Sequence, residues 1–111
     1  MIRLVATDLD GTFWGSDFVP PAEHIAAVRQ LERRNVTVLA ATSMRPRVTR
    51  QRLRDAGLTL PAVLMDGAIG IDFRTGKRFH EAVFEPEAAR NTLGAFWAHG
   101  CLLYTSDAAD E

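Results

Sequence analysis

The sequence predicts an α/β fold in which helices cover a parallel sheet in three layers, followed by the start of a smaller α/β subdomain. Three short segments rich in branched apolar residues alternate with two amphipathic helical segments along residues 2–71, an order typical of a parallel sheet. The apolar segments are nearly unbroken, as expected for strands that are covered on both faces. An alternating segment with a central glycine then indicates an antiparallel hairpin outside this repeat.

The first strand and the first helix follow from simple local patterns. The segment IRLVAT, residues 2–7, is short and apolar and predicts the first strand. Pro20 and Pro21 suit the first turn of a helix, so a helix is predicted within residues 20–35. The residues expected to face the core from this helix are Ala22, Ile25, Ala26, Val28 and Leu31.

The next three elements repeat the strand and helix patterns. VTVLAAT, residues 36–42, predicts the second strand, and RVTRQRLRDAG, residues 47–57, predicts the second helix. Gly57 is expected to end that helix, because glycine adopts the left-handed conformation that closes a helix. PAVLMDGAIGI, residues 61–71, predicts the third strand.

The remaining residues predict a hairpin and a helix. The segment 69–84 alternates around Gly76, which suits a tight turn, and residues 85–100 have a helical pattern. We therefore expect a core from 1–70 and the start of a cap subdomain from 71–100. The residues expected to face inward from the last helix are Ala89, Leu93 and Phe96.

Composition narrows the class of protein but does not name a partner. The 111 residues are 47% hydrophobic and 24% charged, as in a compact globular domain rather than a disordered chain. A net charge of −1 gives no global reason to expect nucleic acid or an anionic membrane as partner. The sequence has neither a membrane-length apolar run nor a signal-peptide pattern, so we expect a cytoplasmic protein. Its one cysteine excludes an intramolecular disulfide framework.

Two aspartates at the end of the first predicted strand are the main functional signal. Asp8 and Asp10 lie where open parallel sheets bind ligands, and alternation along a strand would point both side chains the same way. Two carboxylates held so close repel each other unless a cation intervenes, and Mg²⁺ suits few carboxylates together with phosphate oxygens. Gly11 would let the backbone turn and a phosphate group approach closely.

The motif Asp8-Leu9-Asp10-Gly11-Thr12 resembles the first motif of the haloacid-dehalogenase-like (HAD) phosphohydrolase superfamily. The resemblance implies a Rossmann-like core and a Mg²⁺-dependent phosphatase that forms an aspartyl-phosphate intermediate. It implies that Asp8 is the nucleophile and Asp10 the general acid and base. Mg²⁺ would be held by the Asp8 carboxylate and the Asp10 main-chain carbonyl.

The family's second motif places a threonine or serine at the end of the next strand, where it binds the transferring phosphoryl group. In LAATSMRPR this residue matches Thr42, which follows the apolar run without a gap. Counting back from Arg45 and Pro46 instead favours Ser43. We prefer Thr42 and keep Ser43 as the alternative. The alternative interpretation of Thr42 is a structural one, in which its hydroxyl caps the next helix.

The position of a cap points to the substrate class. Thirty residues separate Thr12 from Thr42, which leaves no room for a cap between the first two motifs. The segment VLMDGAIGIDFRTGK resembles the point where the Cof-like subgroup leaves its core for an α/β cap, which implies a small phosphorylated metabolite such as a sugar phosphate. Asp66 stands where that subgroup often has asparagine, and its role is open. Lys77 does not match the lysine of the family's later motif.

The alternative function is a non-catalytic phosphate-binding or receiver-like module, for which Asp66 is the only candidate acceptor. The arginines of the second helix are expected to form a solvated face rather than a nucleic-acid site, because no aromatic residues interleave them. They are Arg45, Arg47, Arg50, Arg52 and Arg54, of which Arg45 or Arg47 could reach an anionic substrate from the rim of the site. The residues expected to pack in the core or cap are Trp14, Phe96 and Trp97, and those expected at the surface are His24, His80 and His99.

The last eleven residues, CLLYTSDAADE, predict a different origin from the rest of the chain. They resemble one reading frame of a transposon-derived sequencing adapter. We therefore expect residues 101–111 to be non-native, with the natural sequence interrupted near Gly100. On this interpretation Asp107 and Asp110 are not metal ligands, and the 111-residue chain is inactive as a phosphatase.

Overall fold

In a computed structural model the chain is described over residues 1–103. This range contains a five-stranded sheet and three helices. The strands are β1 (Leu4–Asp8), β2 (Thr37–Ala41), β3 (Pro61–Leu64), β4 (Ile69–Asp72) and β5 (Lys77–Glu81). The helices are α1 (Ala22–Arg33), α2 (Pro46–Asp55) and α3 (Pro86–Ala98), and a short 3₁₀ turn spans Met65–Gly67. The expectation about the last eleven residues lies mostly outside the described residues.

The sheet is mixed, with strand order β1-β2-β3-β4-β5. The first three strands are parallel, as predicted, and β3, β4 and β5 pair antiparallel. The register pairs Asp8 with Ala41 and Ala41 with Val63. The carboxyl ends of the three parallel strands therefore lie in one row, which is where the sequence placed its candidate site.

Helix α1 begins directly after Pro21 and ends at a left-handed Asn35, whose φ is 59°. Asparagine tolerates this conformation better than most residues. Of the residues predicted to face the core, Val28 is buried and Ile25 and Leu31 are half-buried. Ala22 and Ala26, the two small residues of that set, are exposed. The buried stripe of α1 is therefore narrower than predicted.

Helix α2 begins at Pro46, and its last helical residue is Asp55. Gly57, which has a φ of +74°, terminates the helix. The N–H groups of Gly57 and Leu58 donate to the carbonyls of Arg54 (2.9 Å) and Leu53 (2.8 Å). This pair of bonds is the Schellman motif, which satisfies carbonyls that the helix itself leaves unpaired. The predicted end of the helix is confirmed. Within residues 1–103 none of the helices is long and apolar enough to cross a membrane.

The core combines strand and helix residues with the loop that follows β1. Phe13 and Trp14 belong to that loop and are buried, and their rings meet edge to face with centroids 5.9 Å apart. The predicted packing role of Trp14 is confirmed. The other buried apolar residues are Leu9, Val28, Val38, Ala40, Leu53, Leu58, Leu60, Ala62, Leu64 and Ile71.

Two predictions about the strands need correction. The first strand is not covered on both faces by the described residues, because Leu4 and Ala6, which share one face of β1, are exposed. The predicted third strand is also two strands. Met65 and Asp66 both have positive φ, 53° and 55°, and so reverse the chain between β3 and β4.

The predicted hairpin is formed by β4 and β5, and it continues the sheet beyond β3. Its strands meet closely at Gly70, because a Cβ atom there would collide with the Phe79 ring. The aromatic ring thus occupies the space that a side chain on β4 would need. The turn between the strands contains Gly76, which has a φ of +77° as predicted for a tight turn.

By compactness the chain divides into two units, Met1–Glu81 and a second one that begins at Ala82. Helix α3 belongs to the second unit, with Ala89 and Leu93 half-buried as predicted. Phe96 and Trp97 of this helix are exposed, contrary to the predicted packing. The boundary expected after residue 70 concerns where a cap subdomain begins, and it stays a prediction.

Candidate active site

A cleft of about 400 Å³ lies at the carboxyl ends of the parallel strands. It brings together three of the predicted site residues, namely the predicted nucleophile Asp8 and the two candidate phosphate ligands Thr42 and Ser43. It also includes the acidic residue whose role the sequence left open. The lining residues are Asp8, Ala41, Thr42, Ser43, Val63, Asp66 and Gly67.

Asp8 ends β1 and presents an exposed carboxylate to this cleft. Its Oδ1 accepts the N–H of the next residue, Leu9, at 2.8 Å. Its Oδ2 accepts a long bond of 3.4 Å from the Thr12 hydroxyl. One oxygen is therefore oriented by the backbone, while the other is weakly held and accessible to a ligand.

The loop after Asp8 is organised by Leu9, which is fully buried. Its carbonyl accepts N–H groups from three following residues: Thr12 (3.1 Å), Phe13 (2.9 Å) and Trp14 (3.2 Å). Gly11 has a φ of +77°, which explains the glycine, and open space lies beside it. The Gly11 N–H donates to the Trp14 carbonyl at 2.9 Å, so its predicted role toward phosphate rests on that open space.

Asp10 lies within this loop and is not among the residues that line the cleft. Its Oδ1 accepts the indole Nε1–H of Trp14 at 2.7 Å and lies 4.0 Å from the Arg52 guanidinium. Because the strand ends at Asp8, strand alternation does not set the direction of the Asp10 side chain, and the expectation that Asp8 and Asp10 point the same way stays a prediction.

Thr42 follows β2 directly, and its N–H donates to the Val63 carbonyl at 3.0 Å. The Thr42 hydroxyl oxygen accepts the N–H of Met44 at 3.2 Å. The backbone therefore holds one lone pair of the hydroxyl, and the O–H remains a donor that can be directed at an anion. Ser43 is exposed at the same cleft.

Asp66 reaches the cleft through the four-residue loop between β3 and β4. Positive φ at Met65 and Asp66 is uncommon for residues with a side chain, and such strained backbone clusters at functional sites. The Met65 N–H donates to the Met44 carbonyl at 3.2 Å, which ties this loop to the one after β2.

Comparison with known proteins decides the family. The family model of the haloacid dehalogenase-like hydrolases matches residues 5–110, nearly the whole chain. The chain belongs to the haloacid dehalogenase-like hydrolases. Comparison with curated protein sequences gave no match.

Solved structures similar to this chain include members of the same family. A haloacid dehalogenase-like hydrolase from B. subtilis is 23% identical with a TM-score of 0.78, over 89% of this chain and 34% of that one. A protein of Bacteroides thetaiotaomicron, described among phosphatases of the HAD superfamily, is 16% identical with a TM-score of 0.75, over 90% and 37%. A Plasmodium vivax protein described as HAD/COF-like is 21% identical with a TM-score of 0.67, over 89% and 37%. The chain thus spans about a third of the length of these proteins and shares the fold of the part that it matches.

The sequence interpretation missed Arg52. The arginines of α2 were expected to form a solvated face, yet the Arg52 guanidinium carbon lies 3.4 Å from the centroid of the Phe18 ring and its Nη1 donates to the Met44 sulfur at 2.9 Å. A helical signal was present: Arg52 is three residues after Thr49 and directly before Leu53, both of which are buried. The exposed arginines of the helix are Arg47, Arg50 and Arg54.

The histidines support no competing metal site. His80 and His99 are exposed, as predicted. His24 is half-buried instead, with its Nδ1 2.8 Å from the Phe13 carbonyl oxygen. Within the part of the chain that the structure describes, no three acidic, histidine or cysteine side chains gather as a metal cluster.

The donors that do meet at the cleft are carboxylates, from Asp8 and Asp66. Mg²⁺ is commonly bound by one or two carboxylates together with water and substrate phosphate oxygens. The donor set therefore fits Mg²⁺ in chemical type. Lys77 does not bring positive charge to the cleft. In the register of β4 and β5 it lies opposite Asp72, at the end of β4 that is farther from the cleft loop.

Proposed function

We propose that this hydrolase is a Mg²⁺-dependent phosphatase that acts on a small phosphorylated metabolite through an aspartyl-phosphate intermediate. One observation carries the proposal: the accessible Asp8 carboxylate and the Thr42 hydroxyl line the same cleft at the carboxyl ends of adjacent strands. A nucleophile and an anion-binding donor in one pocket suit phosphoryl transfer, in which positioning and electrostatics do most of the work.

The reaction has two displacements at phosphorus. In the first, an Asp8 carboxylate oxygen forms a bond to phosphorus, the bond to the leaving alcohol breaks, and Asp10 gives its proton to that oxygen. In the second, water attacks the same phosphorus, Asp10 takes a proton from the water, and the bond to Asp8 breaks. Inorganic phosphate leaves, and both carboxyl groups return to their starting states.

The remaining residues stabilise charge. The hydroxyl of Thr42, with Ser43 as the alternative, would donate to the phosphoryl oxygens as their charge develops. Mg²⁺, when bound, would be held by the Asp8 carboxylate and the Asp10 main-chain carbonyl and would neutralise phosphate charge. Asp10 Oδ1 accepts the Trp14 indole N–H, so Oδ2 would be the oxygen that exchanges the proton.

The substrate that we propose is a small phosphate ester such as a sugar phosphate, acted on in the cytoplasm and without a nucleic-acid or membrane partner. Segments outside this chain would complete the site, since the chain spans about a third of its structural relatives. We therefore expect the 111-residue chain by itself to show no phosphatase turnover. A longer protein is needed for the test, in which residues 1–100 are continued by the later core and cap segments of a family member (the extended protein).

The test is to trap beryllofluoride, a phosphoryl mimic, on the extended protein in the presence of Mg²⁺ and to locate it by ¹⁹F NMR. The proposal expects an adduct that Asp8→Asn abolishes and Asp66→Asn preserves. An adduct that depends on Asp66 and not on Asp8 would support the receiver-like alternative and overturn the phosphatase. Thermal unfolding of both variants provides the control for folding.

A further inference from the structure

The structure holds Asp10 by two groups that the proposed reaction does not use. The buried indole of Trp14, 2% exposed, donates to Asp10 Oδ1 at 2.7 Å. The Arg52 guanidinium lies 4.0 Å from the same oxygen. Asp10 itself is half-exposed, so solvent would otherwise leave its side chain free to sample several rotamers.

Each of the two groups is itself fixed. Trp14 packs in the core, with its ring against Phe13, and its backbone N–H donates to the Leu9 carbonyl. The Arg52 guanidinium lies over the Phe18 ring and donates to the Met44 sulfur, which leaves it only 28% exposed. A cation over an aromatic face is held there by the quadrupole of the ring. The Asp10 oxygen is therefore bound by a rigid donor and faced by an anchored cation.

The arrangement distinguishes the two oxygens of Asp10. An indole N–H is a donor only, so the oxygen that it binds must act as an acceptor. Both contacts fall on Oδ1, and no described residue contacts Oδ2 at hydrogen-bond distance. The free oxygen is the one available to a substrate.

We propose that Trp14 and Arg52 are positioning residues, which fix the rotamer of Asp10 by holding Oδ1 and leave Oδ2 to exchange a proton with the substrate. The inference about catalysis rests on the proposed function, whereas the fixed rotamer does not. Trp14 contributes more than Arg52, because its contact is a short hydrogen bond from a buried group while the guanidinium lies at the limit of an ion pair.

The rotamer is measured on the 111-residue chain by NMR, from the three-bond couplings that join the Asp10 backbone N and C′ to Cγ. The parent is expected to show the couplings of a single χ1 rotamer, and Trp14→Phe those of an averaged side chain. Arg52→Gln is expected to give a partial change. Trp97→Phe and Arg50→Gln are matched controls, because both residues are exposed, and these variants should keep the parent couplings. Parent couplings in Trp14→Phe would overturn the proposal.

Since Trp14 is buried, its variant could lose the fold, and Asp10→Ala provides an independent test at an exposed position. The indole proton of Trp14 should then move toward the shift of the exposed Trp97 indole. An unmoved Trp14 indole proton would overturn the hydrogen bond and with it the proposal.

In the extended protein, Trp14→Phe should lower kcat by roughly 10- to 100-fold at nearly constant KM, because misplaced groups slow the chemical step. Arg52→Gln should lower it only by about two- to fivefold, as for an exposed pair. A KM effect alone would contradict the positioning role. Failure of the beryllofluoride test at Asp8 would remove the proposed function but leave the rotamer result intact, so the two failures are distinguishable.

Discussion

Asp8 and Asp72 lie at opposite ends of the strands of the sheet, and their carboxylates differ in how many hydrogen bonds they accept. At the hairpin end, Asp72 accepts the backbone N–H of Arg74 at 3.0 Å and two guanidinium donors of the same residue at 2.9 Å. At the cleft end, Asp8 has one backbone bond and one long hydroxyl contact. One carboxylate is satisfied within its own turn, and the other is left accessible.

The difference separates an aspartate that stabilises its own turn from one that is open to a ligand. Hydrogen bonds from Arg74 lower the pKa of Asp72 below its ordinary value of 3.8, and its partner is only two residues away. Such a carboxylate stabilises its turn and has nothing left to offer a ligand. Asp8 instead lies in a cleft with Thr42, and its carboxylate remains open to a ligand. The comparison predicts that substitutions at the two ends separate stability from activity.

The largest effect is expected at Asp8. In the extended protein, Asp8→Asn should abolish phosphatase turnover, because an amide is a far poorer nucleophile than a carboxylate. The midpoint of thermal unfolding should change little, since asparagine can still accept the Leu9 N–H. Turnover of small phosphate esters and thermal melts measure the two quantities. Turnover within a few-fold of the parent would remove Asp8 as the nucleophile.

The second effect concerns proton transfer by Asp10. Asp10→Asn should lower kcat by about 10²- to 10⁴-fold, the range for loss of a general acid and base. The limb of the pH–rate profile that belongs to this group should also disappear. An unchanged profile in the variant would show that another group moves the proton.

The third effect decides between the two candidate phosphate ligands. Thr42→Val should weaken phosphate binding and turnover more than Ser43→Ala, because the Thr42 oxygen is oriented by the Met44 N–H and its proton can be directed at the anion. A loss of about 10²-fold in kcat is expected for a donor to a developing charge. The reverse order would move the second motif by one residue. Steady-state kinetics with both variants measure the difference.

Much of the fold and of the cleft follows from local sequence patterns. The apolar runs predicted the parallel strands, Pro20 and Pro21 predicted the start of α1, and Gly57 predicted the end of α2. Asp8 and Thr42 could be placed together because parallel strands end at one edge of a sheet, whatever the register. These features depend on periodicity and on backbone preferences, which are encoded within a few neighbouring residues.

What the sequence could not predict depends on contacts between distant residues. The direction of Asp10 follows from a bond to Trp14 across a turn whose shape is set by the Leu9 carbonyl. Arg52 reaches that carboxylate from a different element, and no local pattern specifies such a pairing. The position of Asp66 in the cleft requires the reversal between β3 and β4, which two residues with positive φ make possible against their ordinary preference.

The smallest effect tests the other half of the comparison, at Asp72. Asp72→Asn should lower the free energy of unfolding at pH 7 by no more than about 1 kcal/mol, because its partner Arg74 is more than half exposed to solvent. The same substitution should leave turnover of the extended protein unchanged. Urea unfolding at pH 7 measures the first quantity, and Lys77→Gln, on the same hairpin, is a control for loss of a charge.

The pH dependence gives this prediction its sign. The Asp72 pKa is lower in the folded state than in the unfolded chain, so the unfolded state binds more protons and stability rises with pH between the two values. The contribution is therefore fully present above the ordinary value of 3.8 and is lost as the pH falls through the folded-state pKa. Parent and Asp72→Asn should differ in stability at pH 7 and converge once the pH falls below the folded-state pKa of Asp72. A stability difference between parent and variant that persists undiminished in acid would mean that the Asp72 charge does not stabilise the turn. A loss of turnover in Asp72→Asn would remove the distinction between the two ends of the sheet.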